Sequence, residues 1–172
     1  SLASNLAIQG LWAGLWLRDV AAFTPNDTAT ALLVLNIGMT AGFLGIGAIA
    51  DVLQRRGVSL STIMAVAILA FILVQAGIVA EVHVTGVWLW ALFGFLANAS
   101  ILSYPIMAGH FPIEFAGRAN TAINFVSFVG AFAAQYAVGG IIDLFPAGAE
   151  GTYIPAAYRA AFGTLLALQI AG

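Results

Sequence analysis

The sequence has no cysteine and very few charged residues. Only 7% of its 172 residues are charged and 62% are hydrophobic, whereas about a quarter of the residues in a soluble domain are charged. The lack of cysteine excludes disulfides, thiolate nucleophiles and cysteine zinc sites. An unusually apolar soluble helical domain is the alternative, but so few charges could not cover the surface of a fold in water. The composition therefore favours a membrane protein.

Positive charge and catalytic groups are also scarce. The net charge of −2 gives no basic field for nucleic acid, so we expect no nucleic-acid partner. No nucleophile–base pair, phosphate-binding glycine loop or paired carboxylate is recognisable in the sequence, which predicts a protein that is not an enzyme and uses no cofactor. His83 and His110 lie far apart in predicted loops, which is typical of solvated histidines rather than of a metal site.

Six apolar segments make up most of the chain. They cover residues 1–17, 28–50, 59–80, 86–108, 119–142 and 156–172. A bilayer core of about 30 Å needs roughly 20 helical residues, a length that the second to fifth segments reach. The first and sixth are shorter, as truncated spans would be, so we expect the chain to be part of a longer polypeptide.

Backbone groups in lipid must pair within the protein, and apolar segments of this length that lack the alternation of barrel strands must be helices. The connections between them are short, which predicts that neighbouring helices run antiparallel. The sequence therefore predicts an all-α membrane protein in which residues 1–172 form a single domain, an up-down bundle of six transmembrane helices. Pro25 lies in the first connection, and Asp27 or Thr28 is predicted to cap the second helix.

The positions of the arginines predict the orientation of this bundle. They divide unequally between the two sides of the predicted membrane, with Arg55, Arg56 and Arg118 on one side and Arg18 and Arg159 on the other. Because cytoplasmic loops carry an excess of positive residues, we expect the connections at 47–57 and 109–118 to be cytoplasmic.

Glycines are dense in the later part of the second segment. Gly38 and Gly42 are four residues apart, so they share one helix face and would let another helix approach closely. Gly130, Ala133 and Ala134 could do the same in the fifth segment. Such surfaces fit either ordinary helix packing or an interface that moves during function.

Two stripes of polar and aromatic residues are predicted at membrane depth. They follow helical spacing in the first and fifth segments, as Asn5, Gln9, Trp12 and Trp16, and as Asn120, Asn124, Ser127, Ala131 and Gln135. Polar side chains in a span usually face the bundle interior or a water-filled cavity. Amides and aromatic faces suit an organic solute with polar groups. The alternative is that these amides join helices through interhelical hydrogen bonds.

The middle of each segment lacks aspartate, glutamate, lysine, arginine and histidine. A proton-coupled carrier usually needs such a group at depth, so we expect any coupling residue to lie outside these residues. Trp88 and Trp90 begin the fourth segment, and indoles at the start of a span are typical of the lipid–water boundary. We therefore assign neither tryptophan to a site.

A polar hinge at 47–57 separates the second and third segments. Asp51 near the end of a helix could accept hydrogen bonds from the N-terminus of a neighbouring helix, and Arg55 and Arg56 could pair with it or with lipid phosphates. The hinge is therefore either a charge lock that holds one conformation or a pair of arginines that anchors the loop.

The hinge resembles a known family. The residues Gly47, Ala50, Asp51, Arg55 and Arg56 resemble the loop signature of the major facilitator superfamily, which lies between the second and third helices of each six-helix half. Val52 and Gln54 stand where a basic residue and a glycine are common. Departures of this kind are typical of the second half of such a carrier.

Two longer stretches extend the resemblance over nearly the whole chain. Residues 9–19 resemble the seventh helix and its outer end, and residues 111–124, continuing through Gly130 and Gln135, resemble the loop before the eleventh helix and that helix itself. The resemblance implies a C-terminal half, helices seven to twelve, built from two inverted three-helix repeats at about 1–80 and 86–172.

What the resemblance implies for function is a secondary transporter that moves a small solute by alternating access in a bacterial inner membrane. It implies solute-facing side chains at Gln9, Trp12, Trp16, Asn98 and Asn124. It implies a cytoplasmic gate at Gly47, Asp51, Arg55, Arg56, Glu114 and Arg118. The partners expected are membrane lipid, the solute, and either the missing N-terminal half or a second copy. A non-transporting membrane subunit or scaffold of a larger complex is the alternative.

Overall fold

The protein is described by a computed structural model that covers residues 2–82, 86–148 and 151–171. The described residues form six helices and contain no strand, only an isolated bridge between Ala147 and Tyr153. The helices are α1 at residues 2–19, α2 at Pro25–Arg55, α3 at Leu60–Val79, α4 at Gly86–Ala108, α5 at Ile113–Ile142 and α6 at Pro155–Ala171. The prediction of an all-α protein is confirmed.

Two of these helices contain a segment that is not α-helical. Within α1, the turn Ile8–Trp12 is a π-helix, which holds more residues per turn than an α-helix. Within α4, the segment Asn98–Leu102 is a 3₁₀-helix, which holds fewer. A mid-helix 3₁₀ segment often marks a hinge or a strained sequence, and single π turns are frequent at functional sites.

Four helices, α2 to α5, are long and apolar enough to cross a membrane. Their outward faces carry large exposed apolar side chains, among them Leu33, Leu44, Leu73, Phe125 and Val126. Such faces are costly in water and favourable against acyl chains. Length and surface together therefore fit an integral membrane protein.

The start of α2 differs from the prediction. Thr24 is its N-cap, because the Thr24 Oγ1 accepts a hydrogen bond from the Asp27 N–H at 3.2 Å and Pro25 occupies the first helical position. Proline suits that position because the N–H it lacks would have no partner there. The prediction of Asp27 or Thr28 as the cap was wrong. At the other end of α2, Gly57 turns the chain with a φ of +86°, a conformation that glycine adopts without steric cost.

The closest helix contact joins α2 and α4. A Cβ at Gly38 would lie 2.2 Å from the Ala91 carbonyl oxygen, and one at Gly42 would lie 2.2 Å from the Phe95 carbonyl oxygen. On α4, a Cβ at Gly94 would lie 2.3 Å from the Leu35 carbonyl oxygen of α2. The close approach predicted from Gly38 and Gly42 is confirmed, and α4 is the partner.

The other contacts give the helix directions. The pairs Gly38–Ala91 and Gly42–Phe95 show that α2 and α4 run parallel. Ala3 lies against Gly130 and Trp12 against Gly139, so α1 and α5 are also parallel. Antiparallel packing joins α3 and α6, where Val79 faces Gly163 and the Gln169 Nε2 donates to the Gln75 Oε1 at 2.5 Å. These directions agree with a chain that reverses at each connection.

Trp90 is a core residue. It is 1% exposed, and its ring lies 5.5 Å from that of Trp16 and 5.5 Å from that of Phe93. The prediction that Trp90 marks the lipid–water boundary was therefore wrong. Trp88, two residues earlier, is 75% exposed, and its boundary position stays a prediction.

A buried carboxylate, Asp19, connects α1 to α6 and to the loop before α6 at one end of the bundle. The Asp19 side chain at the end of α1 is fully buried and lies 2.5 Å from the Arg18 Nε. Its Oδ2 accepts hydrogen bonds from the Tyr153 N–H at 3.1 Å and from the Tyr158 hydroxyl of α6 at 2.8 Å. Burial raises the pKa of Asp19, but the hydrogen bonds from Arg18, Tyr153 and Tyr158 outweigh it and hold the pKa below its ordinary value.

We expect Asp19→Asn to lower the free energy of unfolding by roughly 1.5–3 kcal/mol at pH 7, because it removes hydrogen bonds to a charged group. A carboxyl whose pKa is lowered in the folded state stabilises that state above the unfolded pKa and loses the contribution as the pH falls. The difference between the parent and Asp19→Asn should therefore shrink below about pH 4. Thermal unfolding of both proteins in detergent over a range of pH measures this difference in stability. Asp143→Asn, which changes an exposed carboxylate at the same end, is the matched control, and a difference that persists at low pH would contradict the assignment.

Candidate solute site

A cavity of about 460 Å³ lies where α1, α2 and α4 meet. Its lining is formed by Leu2, Asn5, Leu6, Met39, Phe43, Ala97, Asn98, Ser100, Ile101 and Tyr104. None of these described lining residues is charged. An apolar wall with a few polar groups is the usual composition of a small-molecule site, and the volume falls within the usual range.

The 3₁₀ segment of α4 brings three lining residues to the cavity. Pro105 has no N–H and its ring crowds the carbonyl four residues earlier, which disfavours a regular α-helix through Ile101. A 3₁₀-helix has three residues per turn, so Asn98, Ile101 and Tyr104 lie nearly above one another. In an unbroken α-helix Tyr104 would lie about 120° away from Asn98. The side of α4 that faces the cavity therefore depends on this local winding.

Two serines reinforce the segment. The Ser100 hydroxyl donates to the Ala97 carbonyl oxygen at 3.2 Å, and the Ser103 hydroxyl donates to the Ser100 carbonyl oxygen at 2.6 Å. Both bonds span three residues, the spacing that a 3₁₀ turn brings together. They also occupy the hydroxyl hydrogens within α4.

Asn98 is held by two backbone carbonyls. Its Nδ2 donates to the Met39 carbonyl oxygen of α2 at 3.0 Å and to the Gly94 carbonyl oxygen of α4 at 3.1 Å. The opposite amide orientation would place an oxygen against these two oxygens, so the observed one is favoured. The Asn98 Oδ1 accepts no hydrogen bond within the described residues.

Asn5 and Tyr104 complete the polar side of the cavity. Asn5 is 3% exposed, and its Oδ1 is buried with no partner in the part of the chain that the structure describes. The Tyr104 hydroxyl donates to the Asn124 Oδ1 of α5. The cavity is therefore linked to α5, and Asn124 lies exposed at its edge.

Of the five side chains predicted to face a solute, the structure brings two together at this cavity. Asn98 lines it and Asn124 adjoins it through Tyr104. Trp16 packs in the core against Trp90, and Trp12 is 6% exposed with its ring 6.4 Å from that of Tyr153. Solute contact at Trp12 or Trp16 stays a prediction that this cavity does not support.

Gln9 is the fifth of these predicted side chains. It is half-buried, and its Oε1 has no partner among residues 2–82, 86–148 and 151–171. It lies within the π turn of α1 and is not one of the described residues that line the cavity. Its solute-facing role also stays a prediction.

The charged residues of the predicted gate are exposed. Asp51, Arg55 and Arg56 have no side-chain hydrogen bond or ion pair with another described residue, and a Cβ at Gly47 would meet nothing within 4 Å. At the start of α5, Glu114 is exposed, and so is Arg118, whose guanidinium carbon lies 5.9 Å from the centre of the Phe115 ring. No charge lock is closed within the described residues, and the gate stays a prediction.

No group of three or more metal-ligating side chains occurs within the described residues. The His110 Nδ1 lies 2.7 Å from the Ile106 carbonyl oxygen, in the connection before α5. His83, the other predicted loop histidine, lies outside the described residues. Comparisons with protein-family models, curated proteins and solved structures found no match to this chain.

Proposed function

We propose that the chain is one six-helix half of a secondary active transporter that moves a small organic solute by alternating access. The observation that carries the proposal is the uncharged cavity of about 460 Å³ between α1, α2 and α4. Polar side chains at membrane depth usually mark a substrate pathway or a water-filled cavity. The cavity is bordered by both helices that contain a non-α segment, and interrupted helices at the binding site are common in transporters.

Three of the helix contacts support two inverted repeats, α1–α3 and α4–α6, within six spans. In such repeats α1 corresponds to α4, α2 to α5 and α3 to α6. The contact between α1 and α5 then corresponds to the contact between α4 and α2, and both pairs are parallel. The same exchange leaves the α3–α6 contact unchanged. This is the relation that inverted-topology repeats require.

A half of this kind does not enclose a site. We propose that the missing N-terminal half or a second copy covers the open side of the cavity, with membrane lipid around both. The exposed charges of Asp51, Arg55 and Arg56 would then meet their partners on that other half. A bacterial cytoplasmic membrane is the proposed location.

A non-transporting membrane subunit of a larger complex is the second candidate. The gate charges favour it, because they have no partner within the described residues and could dock on another protein. The two candidates differ in one physical respect, since only a carrier must expose its cavity to both sides of the membrane.

Cysteine labelling tests the proposal without knowledge of the solute. The 172 residues contain no cysteine, and any cysteine elsewhere in the full-length protein is first replaced by serine. Ile101→Cys places a thiol on the cavity wall in the full-length protein. We expect a membrane-impermeant thiol reagent to label it both in right-side-out and in inside-out vesicles. Leu44→Cys, at an apolar position that is 69% exposed, is the control and should resist the reagent from both sides. Labelling of Cys at 101 from one side only would favour the scaffold.

A further inference from the structure

We infer that the cavity between α1, α2 and α4 selects an uncharged solute with an apolar body and at least one N–H or O–H donor. The inference rests on the proposed function, and it adds the class of solute. It follows from three properties of the wall, which are its lack of charge, its apolar surface and the state of its hydrogen-bonding groups.

The lack of charge disfavours ions of either sign. An ion that enters a cavity at membrane depth loses its hydration, and this loss is costly unless an opposite charge replaces it. The described lining supplies only amides, hydroxyls and apolar groups. A neutral solute avoids the cost.

The apolar part of the wall fits a hydrophobic body. Leucine, isoleucine, methionine and phenylalanine side chains surround the space, with Met39 and Phe43 on the α2 side. Methionine adapts to irregular shapes and contacts aromatic rings favourably. A small aromatic or branched group would bury its surface there.

The polar part of the wall offers mainly acceptors. The Asn98 Nδ2 is used by two backbone carbonyls, and the hydroxyls of Ser100 and Tyr104 donate to Ala97 and Asn124. Each of these three side chains keeps oxygen lone pairs for a further bond. Asn5 adds one amide whose oxygen and N–H groups both lack a partner within the described residues. Three of the four polar side chains therefore favour a solute that supplies a donor.

Four probes that share a phenyl ring separate these properties: benzamide, methyl benzoate, benzoate and benzylammonium. Each is added at 10 mM to the full-length protein in detergent at pH 7.5, and thermal unfolding is followed by tryptophan fluorescence. A ligand that binds only the folded state raises Tm by mass action. For a benzamide Kd near 1 mM we expect a rise of about 3 °C, and less than a third of that for the other three probes.

Tyr104→Phe tests the location while keeping the shape of the ring. It removes one acceptor, so the benzamide shift should fall by at least half, whereas Phe132→Leu on the exposed face of α5 should leave it unchanged. Asn98→Leu should abolish the shift if the variant folds.

Several results would overturn the inference. They are an equal or larger shift with benzoate or benzylammonium, an equal shift with methyl benzoate, no shift with any probe, or a benzamide shift unchanged by Tyr104→Phe. Labelling of Cys at 101 from both sides would then leave the proposed function standing without this solute class. Labelling from one side would remove both.

Discussion

Replacing Gly42 with alanine is expected to lower the free energy of unfolding by roughly 2–4 kcal/mol, near the upper end for overpacking. The new Cβ would lie 2.2 Å from the Phe95 carbonyl oxygen and 2.8 Å from the Phe95 Cα. These are backbone atoms of a packed helix, so they cannot rotate away as a flexible side chain would. The methyl group must therefore push α2 and α4 apart. Thermal unfolding in detergent, read from tryptophan fluorescence, measures the loss, since Trp16 and Trp90 lie buried in the core.

Gly140→Ala is the matched control for this substitution. Gly140 is also helical, but a Cβ there would meet nothing within 4 Å. Alanine favours a helix over glycine by about 1 kcal/mol, so this variant should be as stable as the parent or more stable. Equal stabilities for Gly42→Ala and Gly140→Ala would show that α2 and α4 do not pack as closely as described.

Asp51→Asn is expected to slow the exchange between the two access states at least tenfold with little change in stability. Asp51 is exposed and unpaired among the described residues, so its loss should change Tm by less than about 1–2 °C. On the proposed function its carboxylate bonds to the other half in the state with the cytoplasmic gate closed and already in the transition state that leads to it, so losing the bond slows closure. Such a charge-assisted bond is worth about 1.5–3 kcal/mol, and about 1.4 kcal/mol corresponds to a tenfold change in rate.

The rate of side-dependent labelling of Cys at 101 measures this effect without a known solute. Asp143→Asn, at the C-terminal end of α5 and the opposite end of the bundle from Asp51, controls for the loss of a carboxylate and should leave the rate unchanged. A loss of folded protein as large as the loss of rate would count against a switching role for Asp51.

Those features of the fold that depend on local pattern could be predicted from the sequence. Uncharged segments of 20 residues or more predicted the four long apolar helices, because the cost of unpaired backbone groups in lipid leaves few alternatives. The spacing of Gly38 and Gly42 predicted a close helix contact, although the identity of the partner helix required the structure.

Features that depend on which helices and loops pack against each other could not be predicted. Trp90 stands near the start of its span, where an indole often meets the headgroups, but α1 places Trp16 against it and buries it. The spacing of Trp12 and Trp16 predicted an inward face of α1. The structure adds that Tyr153, in the loop before α6, packs against Trp12 on this face. Helical spacing alone cannot distinguish a cavity wall from a core.

Tyr104 was missed for a different reason. The sequence was interpreted with 3.6 residues per turn throughout, and that period turns Tyr104 away from Asn98. Pro105, directly after it, was the available signal, because proline disturbs the preceding turn. Asn5 was recognised as a polar residue of the first segment, and the structure places it at the cavity together with Ser100.

The 3₁₀ segment Asn98–Leu102 also has a consequence for the axial geometry of α4. A 3₁₀-helix rises about 2.0 Å per residue and an α-helix about 1.5 Å. If these five residues took up the α-helical pitch, α4 would shorten by about 2.5 Å and its C-terminal end would rotate by about 100°. Tyr104 would then lose its hydrogen bond to Asn124 and its place in the cavity wall beside Asn98. Residues 86–97 would keep their packing against α2.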